Sequence, residues 1–272
     1  MVTRDGHAKI LDFGLAKLIE RPYGLSSRTV EDRMTSMHPA LQDLAAVIFD
    51  VGGTLVHPDW QRLGKIVEAE TGLLFTPKQM HEAFYAMLQT ANAELVAEVN
   101  SKRRSGAYWT LLETFRLLGI DEGACISIRR HLNRSHQERH LWCQADSEAA
   151  SVLFRLKSEG LRLAVISNTE DGRVNESLAL ADLASHFEFL IDSYLVGLSK
   201  PDAAIFQLAL DRLGLDPREA AYVGDSYGYD VIGAQRAGLR PIFLDRAGAY
   251  DAVEFARIRS LRELILYDAV AQ

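Results

Sequence analysis

Five short apolar runs, each closing on a polar residue, constrain this chain more than any other feature. They are Ala45–Asp50, Leu163–Ser167, Phe187–Asp192, Ala221–Asp225 and Pro241–Asp245. Each is nearly continuous rather than alternating, the pattern of a strand covered on both faces, as in a parallel sheet. Amphipathic segments fall between the later runs. Ser147–Glu159 carries Val152, Leu153 and Leu156 and stops at Gly160, while Ala203–Leu213 carries Ile205, Phe206, Ala209 and Leu213 and stops at Gly214. Glycine takes the left-handed conformation past a helix end at little cost. This alternation predicts an α/β fold, a doubly wound parallel Rossmann-like sheet.

The rhythm breaks between the first and second runs, where residues 58–144 read as mostly helical. Thr76-Pro77-Lys78-Gln79 fits a capping box with proline at the first helical position. Met80, Phe84, Met87, Ala91 and Leu95 follow at helical spacing, and Tyr108, Leu111, Leu112, Phe115 and Leu118 form a second such stripe. Both stripes read as core. The expected organisation is an α/β core over 44–57 and 145–272, a small helical domain inserted over 58–144, and a dissimilar leader over 1–43. In that leader, Arg21–Gln42 is polar and rich in turn residues, as linkers are.

Composition excludes several classes. Among 272 residues, Asp and Glu outnumber Lys and Arg 37 to 30, for a net charge of −7. This mild acidity argues against a nucleic-acid partner. No apolar run approaches the ~20 residues that span a bilayer, and the N-terminus lacks the layout of a signal peptide. Cys125 and Cys143 cannot make a disulfide framework. The expectation is a cytoplasmic protein without a membrane partner; no feature sets an oligomeric state.

In open α/β sheets, ligands bind beyond the carboxyl ends of the strands. Asp50, Ser167 and Asp225 lie at such ends, with Lys200 in a loop between the last two. Each alone is commonly a helix cap or a turn residue. Together, two carboxylates, a hydroxyl and an ammonium suit a magnesium-bound phosphate.

Four motifs carry a resemblance to the haloacid dehalogenase superfamily over about residues 44–265. They are Phe49-Asp50-Val51-Gly52-Gly53-Thr54-Leu55; Val165-Ile166-Ser167-Asn168; Lys200-Pro201-Asp202 with Ile205-Phe206; and Val223-Gly224-Asp225-Ser226 with Asp230. The long interval after the first motif is where the helical-cap subclass of that superfamily inserts its cap. The resemblance implies a hydrolase, with Asp50 as a nucleophile forming an aspartyl-phosphate. It implies Mg2+ held by Asp50, the Gly52 carbonyl and Asp225, with Asp230 in or just behind that shell. Thr54, Ser167 and Asn168 would contact the phosphoryl group of a small phosphorylated metabolite, and Lys200 would neutralise charge on it and on Asp50.

One departure matters. Phosphatases of this superfamily usually carry an acid two residues after the nucleophile, and Gly52 stands there. Three readings follow. The first is a phosphatase with a substitute group, such as His57, Asp59 or a residue of the helical domain. The second is a branch without that acid, dehalogenase or phosphonatase. The third is a weak or non-catalytic phosphate binder. Asp225 and Asp230 favour magnesium and phosphoryl chemistry.

Two further features stand apart. His136 and His140 lie one helical turn apart, with His131 nearby, a spacing that suits zinc; no cysteine or acid completes a recognised motif, so a solvated, charged helix face is expected. Val2–Leu18 resembles the magnesium-motif segment of protein serine/threonine kinases, with Asp12 in the metal-holding position. The remaining kinase parts are missing, so the segment reads as a remnant, with Met34 or Met37 as the expected natural start.

Overall fold

The computed structural model describes residues 37–97, 108–248, 250 and 254–266; the kinase-like stretch lies outside them. Six parallel strands form the central sheet in the order β5-β4-β1-β6-β7-β8. In chain order these are β1 (Ala46–Phe49), β4 (Arg162–Ser167), β5 (Phe189–Asp192), β6 (Ala220–Gly224), β7 (Arg240–Leu244) and β8 (Ala256–Ile258). The five expected strands stand within a residue or two of their apolar runs. β8 is an addition: three residues at the edge, too short to leave a pattern.

β1 sits between β4 and β6, in register Ala46 with Arg162 and Ala220. The order of the strands reverses there, and such a reversal opens a crevice at the carboxyl ends. All four residues of β1 and all five of β6 are buried. Alternate side chains serve opposite faces of the sheet. Val47, Phe49, Val165, Val223, Ile242 and Leu244 pack in one core with Val152, Leu153 and Leu156. Ile48, Ile166 and Tyr222 pack in the other with Ile205, Phe206 and Leu210.

A two-stranded antiparallel ribbon, β2 (Val56–Pro58) and β3 (Trp142–Ala145), joins this core to a helical unit. Pro58 and residues 142–144 therefore belong to the ribbon rather than to the helical stretch. The unit comprises α1 (Trp60–Thr71), α2 (Pro77–Ala97), α3 (Trp109–Leu117) and α4 (Glu122–Glu138). Asp59 caps α1, its carboxylate accepting from Arg62 N at 3.0 Å. The capping box at α2 is formed: Gln79 N donates to Thr76 Oγ1 at 3.2 Å, and Thr76 N to Gln79 Oε1 at 2.9 Å. Met80, Phe84, Met87, Leu111, Leu112 and Phe115 meet Leu63, Ile128 and Leu132 in a separate core.

The remaining helices flank the sheet: α5 (Ala149–Ser158), α6 (Val174–Leu180), α7 (Ser193–Val196), α8 (Ala203–Leu213) and α9 (Ile232–Arg236). Asp202 caps α8 through Ala204 N at 2.9 Å, and Gly214 ends it at φ 65°. No helix among the described residues is long and apolar enough to cross a membrane.

Candidate active site

Asp50 follows β1, Ser167 closes β4 and Asp225 follows β6, so the crevice of the sheet collects all three. Lys200 reaches the same place from the loop before α8. Its ammonium donates to Asp50 Oδ1 at 2.5 Å, Asp230 Oδ1 at 2.7 Å and the Tyr222 hydroxyl at 3.0 Å. Tyr222 in turn donates to the Ile166 carbonyl at 3.1 Å. Asp230 lies in a π-helical turn, Tyr227–Val231, and its second carboxylate oxygen accepts from Ser226 N at 2.9 Å. Carboxylate oxygens of Asp50, Asp225 and Asp230 lie within 4.8 Å of one another.

The electrostatics of this cluster are lopsided. Burial alone would depress the Lys200 pKa, but Asp230 and Asp50 outweigh it and hold the ammonium well above its usual value. Burial chiefly, then the charges of Asp50 and Asp230, push Asp225 well above the carboxylate range. Burial likewise raises Asp230, to about 6, against the opposing pull of Lys200. Asp225 Oδ2 is buried with no hydrogen-bond partner among the described residues. Three buried carboxylates thus share one ammonium, and one oxygen is orphaned. A buried charge is stable only when paired. That excess of oxygen donors fits a hard divalent cation such as Mg2+, which takes a few carboxylates alongside phosphate oxygens.

Glycines make the close approach possible. Gly53 has φ +86°, and a Cβ there would lie 2.1 Å from Asp225 Oδ2. At Gly224 a Cβ would meet the Asp230 carboxyl carbon at 2.4 Å. Gly52 differs: a Cβ there would touch the Trp142 ring at 3.4 Å, an ordinary contact. A side chain at position 52 is therefore not excluded by its backbone, and nothing at Gly52 can transfer a proton.

The other sequence candidates divide. Thr54 is fully buried four residues after Asp50, with no partner for its Oγ1 among the described residues. Ser167 is buried at the end of β4. Asn168 is committed elsewhere: its side-chain amide donates to the Lys200 carbonyl at 3.0 Å and accepts from Lys200 N at 2.9 Å. Its side chain thus holds the lysine loop against β4. Cys143 is buried in β3.

Three residues around the crevice, Tyr222, Asp146 and Arg246, were not legible as a group. Tyr222 reads in sequence only as core. Asp146 accepts from or pairs with His57 Nε2 at 3.1 Å and Arg246 at 2.8 Å, linking β2, the residue after β3 and the loop after β7. Arg246 also donates to the carbonyls of Thr54 at 3.2 Å and Gly53 at 3.4 Å. Tyr85 of α2 donates to the Gly53 carbonyl at 3.3 Å, bringing the helical unit onto the loop after Asp50. A small cavity beside Asp225 is lined by Tyr85, Leu88, Arg246 and Tyr250.

A parallel sheet reversing at β1 sets a carboxylate after β1, a lysine paired to it and a second carboxylate after β6 around one crevice, the place where a Rossmann-like sheet holds its ligands. The haloacid dehalogenase-like hydrolase family profile matches residues 44–238, and the chain belongs to that family. Its relatives span two chemistries. It is 38% identical over 126 residues to a phosphoserine phosphatase of Thermus thermophilus, covering 45% of this chain and 51% of that one. It is 37% identical over 204 residues to a glyceraldehyde 3-phosphate phosphatase of Methanothermobacter thermautotrophicus, covering 74% and 86%. To an (S)-2-haloacid dehalogenase of Burkholderia cepacia it is 29% identical over 240 residues, covering 82% and 94%. The chain spans only about half the length of the first of these relatives. The solved structure of the magnesium-bound hydrolase YfnB of Bacillus subtilis shares the fold, with TM-score 0.61 at 18% identity over 82% of this chain and 97% of that one.

Proposed function

We propose that this chain is a Mg2+-dependent phosphatase of small phosphorylated metabolites, with Asp50 as its nucleophile. The observation that carries the reading is the orphaned Asp225 oxygen within a three-carboxylate, one-lysine cluster. A dehalogenating site attacking neutral carbon has no use for that surplus of negative charge.

Asp50 and Asp225, with the Gly52 carbonyl, would hold the cation, and Asp230 would stand behind them, bound to Lys200 and Ser226 N. The cation would supply positive charge to the phosphoryl oxygens. An Asp50 oxygen attacks phosphorus while the bond to the alcohol oxygen breaks, giving an aspartyl-phosphate and an alkoxide that takes its proton from solvent water. Water then cleaves the aspartyl-phosphate, releasing inorganic phosphate and restoring Asp50. Lys200 orients Asp50 before substrate arrives and offsets charge as it builds. Thr54 and Ser167 offer hydroxyls to the phosphoryl oxygens. The helical unit serves as a cap, with Tyr85 over the Gly53 loop excluding water on closure.

The missing acid sets the rate. Proton transfer by a positioned group is worth 10²–10⁴-fold, about 3–5 kcal/mol of barrier. Gly52 therefore favours substrates whose leaving group needs no proton, and it keeps a weakly active homologue as the second reading. Hydrolysis of p-nitrophenyl phosphate, with and without Mg2+, tests both. Turnover that needs Mg2+ and vanishes in Asp50→Asn supports the phosphatase. A further rise in Gly52→Asp shows that the acid was limiting. No turnover in wild type, together with halide release from 2-chloropropionate, overturns the proposal in favour of dehalogenation; no turnover of either leaves the binder.

A further inference from the structure

The three histidines do not form the solvated face that their spacing suggests. α4 ends at Glu138, so His140 lies beyond the helix. His136 and His140 are both buried, 7% exposed, with ring centroids 4.4 Å apart. His131 points elsewhere, its Nδ1 2.9 Å from Glu70. An acid does complete the set, but from the core: Asp171, in the loop after β4, reaches His136 Nε2 at 2.6 Å. Donor atoms of His136, His140 and Asp171 lie within 4.8 Å of one another.

His140 Nδ1 lies 2.9 Å from the Trp142 carbonyl and 3.2 Å from Trp142 N, so the backbone engages that ring nitrogen. No hydrogen bond reaches its Nε2 among the described residues. Burial first, then the neighbouring His136, lowers the His140 pKa and favours the neutral ring. His136 Nδ1 accepts from Leu141 N at 3.2 Å, which puts the His136 proton on Nε2, aimed at Asp171. Arg173 stands 3.8 Å from Asp171 but is engaged by Glu176 at 2.7 Å and by the His136 carbonyl at 2.9 Å.

We propose that His136, His140 and Asp171 form a second metal site, for zinc or a similar borderline divalent cation, that clasps the end of α4 to the loop after β4. Two imidazoles and one carboxylate suit zinc rather than magnesium, which prefers oxygen. The fourth position falls to water. A central zinc would part His136 and Asp171 to about 3.3 Å, the separation of tetrahedral ligands at ~2.0 Å from the ion. The His136 proton moves from Nε2 to Nδ1 on loading, and the Leu141 amide gives up its long hydrogen bond. The site is separate from the carboxylate cluster in both place and chemistry, so it stands whether or not the chain is a phosphatase.

The full-length chain, stripped with chelator, is titrated with Co2+ and then Zn2+, and the metal retained after gel filtration is counted. Asp225→Asn serves as the background, so that the carboxylate cluster does not compete. One retained equivalent is expected, with the intense visible bands of tetrahedral cobalt, displaced by zinc. His140→Gln and Asp171→Asn each weaken retention tenfold or more, while His131→Gln leaves it unchanged. Circular dichroism confirms that each variant is folded, and Asp171→Asn, at the more exposed ligand, carries the test if His140→Gln is not. No stoichiometric metal in the background chain, or retention indifferent to both ligand substitutions, overturns the proposal. Weak octahedral cobalt bands abolished by restoring chelator at low concentration do so as well.

Discussion

Asp225→Asn is expected to stabilise the metal-free protein while removing its response to Mg2+. In the native state Asp225 is buried, Oδ2 has no partner, and Asp50 and Asp230 lie close by. At an effective dielectric of ~20, two like charges no more than 4.8 Å apart repel by roughly 3.5 kcal/mol or more. Lys200 offsets about one of the two repulsions, and partial protonation relieves part of the rest. Asparagine is nearly isosteric, loses no hydrogen bond described for Asp225, and brings an amide that can donate to its neighbours. A gain of about 1–3 kcal/mol follows, the scale of relieving one buried unsatisfied group.

Urea unfolding in chelator at neutral pH reads this gain directly. Saturating Mg2+ inverts the order, because wild type gains about 2.7 kcal/mol at a hundredfold excess over Kd and the variant gains little. The pH dependence has a definite sign. Burial chiefly raises the native pKa of Asp225 and of Asp230, the latter to about 6 from 3.8. The native state then binds more protons than the unfolded one, so metal-free stability falls as pH rises from 3.8 through about 6 and beyond. Asp225→Asn flattens that slope. A variant less stable than wild type in chelator, with the slope intact, refutes the account of the site as an unpaired carboxylate cluster.

Other substitutions probe neighbouring contacts. Gly53→Ala meets both a left-handed backbone and Asp225 at 2.1 Å, so thermal unfolding should show a loss of about 1–3 kcal/mol, with Mg2+ affinity reduced in calorimetry. Tyr222→Phe removes the hydroxyl between Lys200 and the Ile166 carbonyl; about 1–2 kcal/mol of stability is expected to go, measured by urea unfolding. Phe115→Ala empties a fully buried position of the helical unit, costing about 3–5 kcal/mol in the same assay. Asp146→Asn acts in acid: burial opposes ionisation, but His57 and Arg246 hold the Asp146 pKa below its usual value. Its contribution is present above pH 3.8 and lost as pH falls through the native value, so the variant's acid unfolding curve is shallower.

The sheet and the crevice that gathers Asp50, Ser167 and Asp225 were legible because each strand advertises itself locally. A buried parallel strand must be apolar throughout, and the residue that follows it must be polar to face the crevice. Asp50, Ser167 and Asp225 are read off on that ground alone. What escaped involves partners distant in sequence. The β2–β3 pairing joins Val56 to Ala145 and leaves no periodicity in either. His136 finds its acid at Asp171, on another element, so sequence spacing around the histidines suggests a solvated surface where the chain builds a buried cluster. Asn168 was legible as a residue of the second motif, yet its bidentate grip on the Lys200 backbone depends on how a distant loop returns.

The position of β1 has a consequence for how the chain comes into being. The strand that precedes Asp50 is the first of the sheet to leave a ribosome, and both its neighbours are still to be made. Its neighbours Arg162–Ser167 and Ala220–Gly224 are made much later. Until then, four apolar residues with two unpaired edges travel with only the helical unit for company, a recognised hazard for association between nascent chains. Contacts so distant in sequence also slow the search for the native state. Synthesis rate and chaperone supply, more than the final stability of the fold, will govern the yield of active protein.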